Sequence, residues 1–152
     1  MDRINAANLE SFLLSRIPEL CRYVEDTHKY FEPGENSYAL AADLLRLTES
    51  VEAYTIHGGT DSADLLDRIF EAVETVMRDG DRDVSDALCI DFVQDLPVRN
   101  SELLHRLGPA ALRCLAGAIG SAGSMVYDES AIRVIKELLR DNNIMLPGDD
   151  TA

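Results

Sequence analysis

The sequence predicts an all-α fold, a single domain of about six or seven antiparallel-packed helices. Apolar residues recur at spacings of three and four, the pattern of a helix buried on one face. Pro, Gly and Asn cut the chain into pieces of helical length. The 152 residues are 46% hydrophobic but only 6% aromatic, with no Trp, so the core is aliphatic and ample for one domain. Residues 1–146 are expected to form that domain and 147–152 to be a frayed tail.

Each element follows from local pattern. Asn8–Arg16 is amphipathic, with Leu9, Phe12, Leu13 and Ile17 on one side. Pro18 suits a first-turn position and opens a helix carrying Leu20, Val24 and Phe31, which ends at the loop Glu32–Asn36. Ser37–Thr55 carries the stripe Leu40, Leu44, Leu47, Val51 and Tyr54, and His57-Gly58-Gly59 ends it. Thr60, Asp61 and Ser62 start the next helix, which runs to Arg78 on Leu66, Ile69, Val73 and Val76, with Phe70 and Met77 beside them and Gly80 as the stop. These two helices read as an antiparallel pair.

Val84–Leu96 is apolar almost all round, through Ala87, Leu88, Cys89, Ile90, Phe92 and Val93, which predicts a helix buried between others. Asp91 on that helix is expected to be at least partly buried and paired with Arg113 or Arg106, because an unpaired buried carboxylate is costly. A short helix from Ser101 to Leu107 gives way at Gly108-Pro109 to another over 109–119, built on Leu112, Leu115 and Ile119. Gly117, Gly120 and Gly123 predict a flexible loop, and Ala131–Arg140 a last helix on Ile132, Ile135, Leu138 and Leu139.

The formal net charge is −14, which disfavours nucleic acid and anionic membrane as partners and favours a basic protein. Residues 59–95 carry eleven acids against three bases, so the excess is concentrated. Within that stretch Asp64, Asp67, Glu71 and Glu74 recur at 3-4-3 spacing, opposite Leu66, Ile69, Val73 and Val76. Two readings stand: a solvated face eased by Arg68, or a docking surface for a basic partner.

Cys21, Cys89 and Cys114 are odd in number and form no CxxC, which predicts free thiols in a reducing cytosol, buried for Cys89 and Cys114. The first twenty residues have no leader pattern and no apolar run has membrane-spanning length, so a cytoplasmic protein is expected. Glu25/His28 and Glu102/His105 are Glu-x-x-His pairs, the spacing by which helix bundles present metal ligands. Such a site needs two further Glu. Glu49 and Glu52 lie off their apolar stripe, so the pairs read as surface coincidence and no metal or cofactor is expected. His57 beside Gly58-Gly59 reads as a helix end, and no catalytic motif emerges.

Three segments carry a resemblance. Phe12–Leu20, Ala41–Leu47, and Val84–Pro97 followed by Leu107-Gly108-Pro109 resemble, in this order and spacing, a family of small acidic bacterial helical proteins of unknown function, over about residues 12–115. Asp83–Leu96 also looks like the second helix of a HEAT-type repeat. The resemblance implies a HEAT-like helical stack and an immunity- or antitoxin-like role; it brings no catalytic residue. Three functions follow as expectations. The first is a non-catalytic module binding a basic protein through Asp64, Asp67, Glu71 and Glu74. The second is a metal-binding bundle or enzyme using Glu25/His28 and Glu102/His105. The third is a self-associating scaffold without a ligand.

Overall fold

Helix α1, Leu9–Arg16, buries Leu9 and Leu13 and runs through a 3-10 turn at Pro18–Leu20 into α2, Cys21–Thr27, which buries Val24. Pro18 takes the first position of that turn, where its missing N–H costs nothing. The computed structural model describes residues 3–32, 34–55, 60–99, 101–122 and 127–146. The expected helix end at His57-Gly58-Gly59, the loop glycine Gly123 and the tail 147–152 lie outside the described residues, as do the side chains of Glu52 and Tyr54.

Helix α3, Ser37–Thr55, packs on α2, on α4, Thr60–Asp79, and on α5, Arg82–Leu88. Asn36 starts α3 by accepting from the Ala39 N–H (3.0 Å), and Leu40, Leu44, Leu47 and Val51 are buried as their spacing requires. Leu66, Ile69, Phe70, Val73 and Val76 of α4 are buried against them. Gly80 follows α4 because a Cβ there would lie 2.5 Å from the Val76 carbonyl oxygen. Its neighbour Asp81 caps α5, accepting from the Val84 N–H at 3.1 Å.

The segment read as one helix over 84–96 is a composite. α5 opens into a π-helical turn at Cys89–Val93, and after Gln94 and Asp95 a short α6, Leu96–Arg99, follows. The wider turn inserts a residue, so the side is not apolar all round: Phe92 and Val93 are buried while Ile90 is 45% exposed. Phe92 meets Phe70 of α4 edge-to-face, with centroids 5.8 Å apart. Ser101–Arg106 is 3-10 rather than α, and leads into α7, Pro109–Ala122, and α8, Glu129–Asp141. The expected six or seven helices are therefore eight α-helices among the described residues, in one all-α fold.

Two further expectations are corrected. Phe31 is exposed, because α2 stops at Thr27 and the helical stripe that carries Leu20 and Val24 does not reach it. Gly117 and Gly120 are helical, because Leu115, Ala116 and Ile119 are buried on the other face of α7 and outweigh the roughly 1 kcal/mol a helical glycine costs. Buried polarity is sparse. Thr48 donates to the Leu44 carbonyl, and Asp43, 1% exposed, accepts from Thr27 Oγ1 (2.6 Å) and pairs with Arg46, so a charge is buried with two partners and α2 is tied to α3.

Candidate functional site

The acidic stripe of α4 points outward, and most of it is engaged within the molecule. Asp64 meets Arg68 Nε at 3.0 Å. The same guanidinium grips Glu19 through two bonds (2.6 and 3.0 Å) and donates to the Arg16 carbonyl, tying α4 to α1 and the Pro18 turn. That grip holds the Glu19 carboxyl below its ordinary range. Asp67 pairs with Arg106 of the 3-10 turn at 2.6 Å. Glu71 is exposed and its carboxylate has no partner among the described residues.

Glu74 has a structural role that its place in the stripe hides. Its two carboxylate oxygens accept from the Ala110 and Ala111 N–H groups, at 2.7 and 3.2 Å. It therefore caps α7 from another helix, with its charge at the positive end of the dipole. Gly108 makes room: a Cβ there would lie 2.5 Å from Glu74 Cδ and Oε2. Pro109 then occupies the first helical position, where no N–H is required. The repulsion expected along the stripe is thus relieved at three of four positions, by Arg68, by Arg106 and by the α7 N-terminus.

Further acids without a cation lie one element further on. Along 82–99, Asp83 and Ile90 are exposed, as is Val98 at 64%, with Asp91 and Asp95 half-buried between. Asp86 has Arg82 at 3.7 Å, but Asp83, Asp91 and Asp95 have no cation at ion-pair distance among the described residues. The expected pairing of Asp91 is corrected: it is half-buried, Arg106 is taken by Asp67, and Arg113 makes no ion pair among the described residues. Burial, reinforced by the charge of Asp95, raises the Asp91 carboxyl above its ordinary value. Burial and the same Asp95 charge push the Tyr127 phenol up to about 12, and that phenol donates to the Gln94 carbonyl at 2.7 Å.

The π-turn that turns Ile90 outward also carries Cys89, which is disulfide-bonded to Cys114 of α7, 25 residues away in sequence. The expectation of free thiols holds only for exposed Cys21, whose thiol donates to Glu25 (3.4 Å) and is pushed up by that contact. No spacing signal marks the bonded pair. It is made by the packing of α7 against the π-turn.

The Glu-x-x-His pairs do not behave as paired ligands. His28 bonds to Glu10 of α1 at 2.6 Å, while Glu25 accepts from Cys21. Glu102 and His105 lie in the 3-10 turn. Among the described residues no group of three or more His, Cys, Asp or Glu is arranged to hold a metal ion. No described helix is long and apolar enough to cross a membrane.

Residues 11–118 match the DUF7674 family, described as a domain of unknown function. The chain belongs to this family. No curated protein and no solved structure matches it. The DUF7674 segment begins within α1 and ends within α7, so it contains the Glu74–Gly108 cap, the disulfide and the 82–99 run; α8 lies beyond it.

Proposed function

We propose that the chain is a non-catalytic protein-binding module whose partner presents a basic surface with an apolar centre. The observation that carries this reading is the 82–99 run, where Ile90 and Val98 are exposed alongside Asp83, Asp91 and Asp95, which have no cation at ion-pair distance among the described residues. An apolar centre supplies affinity, and uncompensated charge around it supplies association rate and rejection of wrong partners. A π-turn at the middle of the run fits, since such bulges recur at functional sites. Asp64, Asp67 and Glu71 add to the same negative field and steer, while Glu74 is committed to α7. An immunity- or antitoxin-like pairing with a basic toxin is the specific form of this reading. The cytoplasm suits that role; a persistent Cys89–Cys114 bond suits an oxidising compartment. Counting free thiols in protein alkylated as host cells are lysed separates the two.

The test uses a labelled amphipathic Lys/Leu helical peptide as probe and reads fluorescence anisotropy. Binding should weaken with salt and fall about tenfold in Ile90→Ser and in Asp91→Asn/Asp95→Asn, the size of one well-placed contact. Asp64→Asn should change it about twofold or less, because Arg68 already shares that charge. Equal losses at every acid, with no effect at Ile90, would reduce the face to a general negative field and reject the reading.

A further inference from the structure

A second surface has the opposite character. The segment before α1 is strapped to the end of α4 by a parallel bridge between Ile4 and Gly80 and by the Asp81 N–H donating to the Ile4 carbonyl at 2.8 Å. Asn8 holds the strap from the other side, its Nδ2 donating to the Arg3 carbonyl (3.2 Å) and its Oδ1 accepting from the Asn5 N–H (2.7 Å). Between strap, α1 and α4 lies a groove of about 880 Å³, within the usual range for small-molecule sites.

Three of the chain's 14 Lys and Arg residues line it: Arg3, Arg16 and Arg78. Arg3 and Arg16 make no ion pair among the described residues; Arg78 shares its charge with its neighbour Asp79. Arg16 lies over the Phe12 ring, 5.1 Å from its centroid, which limits its rotamers and desolvates one of its faces. The hydroxyls of Ser11, Ser15 and Thr75 donate back to carbonyls of their own helices, at 3.0, 2.7 and 2.9 Å. With their protons committed, these hydroxyls can offer the groove they line only acceptor oxygens, and the guanidinium groups are its main free donors.

We propose that this groove binds a small organic phosphate carrying a planar ring, of the nucleotide class. On a chain of net charge −14, three guanidinium groups line one groove against the single carboxylate of Asp79, which pairs with Arg78; the two without an ion pair among the described residues make a local site for an anion, and their planar forks match phosphate oxygens. Phe12 and Ile4 supply an apolar wall for the ring, and the three hydroxyl oxygens accept from ligand hydroxyl or amino groups.

The test is isothermal titration of the whole chain with AMP, adenosine and inorganic phosphate, with Arg16→Gln/Arg78→Gln as the variant. Both side chains are solvent-facing, and a thermal melt checks that the variant folds. AMP should saturate one site more tightly than either fragment, and the variant should lose about tenfold or more in affinity, since each site of contact is charge-assisted. Failure of AMP to saturate at millimolar concentration, equal binding by the folded variant, or saturation by an oligoglutamate peptide without AMP binding would each overturn the proposal. None of these outcomes bears on the 82–99 face.

Discussion

Replacing Gly108 by Ala should destabilise the fold only while Glu74 is present. The added Cβ would sit 2.5 Å from the Glu74 carboxylate, which must then leave the Ala110 and Ala111 N–H groups. Two bonds to a charged acceptor and a favourable dipole contact are lost, about 2 kcal/mol in all. Glu74→Ala should cost the same, about 2 kcal/mol, and Glu74→Gln about 1 kcal/mol, since the amide keeps one acceptor and loses the charge. In the Glu74→Ala background the space is empty, so Gly108→Ala should be neutral or stabilise by up to about 1 kcal/mol through the unfolded chain. The double-mutant cycle therefore has a coupling term as large as either single effect. Urea denaturation followed by far-ultraviolet circular dichroism reads it, with each single variant moving the midpoint by about 1 M at unchanged slope. Strict additivity, or an unchanged midpoint in Glu74→Ala, would refute the cap and return Glu74 to the free surface.

Two more outcomes follow from the site. Cys89→Ser/Cys114→Ser should lose about 3 kcal/mol through the loop that the bond closes, and melt about 10 °C lower; unreduced wild-type protein, denatured and titrated with Ellman's reagent, should report Cys21 alone. Asp91 has a raised carboxyl, so its native environment favours the protonated form, and the stability this contributes is present below its ordinary value of 3.8 and lost as pH rises through the raised one. Asp91→Asn should therefore be more stable than wild type at pH 7, with the difference closing as the pH falls toward 4; an equal gain at both pH values would show that ionisation of Asp91 is not its source.

The helices were legible in the sequence because each is decided by local periodicity and punctuation. The stripes Leu40–Val51 and Leu66–Val76 bury the side that their spacing dictates, and Gly80 and Pro109 mark ends that no neighbour can overrule. The all-α class and the concentration of acid in 59–95 likewise need nothing beyond residue order. Pairing is different, because it depends on which elements meet. Asp64, Asp67 and Glu74 look alike along the stripe, yet Arg68, Arg106 and the α7 N-terminus, 4 to 39 residues away, give each a different role. Gly108-Pro109 was readable as a junction, but not as the recess for a carboxylate from α4. A π-turn lies outside a 3.6-residue template, so helical periodicity alone puts Ile90 inside. Cys89 and Cys114 carry no spacing signal at all, since their bond exists only because α7 lies against that turn. Local pattern settles which face of a helix is buried; only the tertiary structure settles what that face and its opposite side touch.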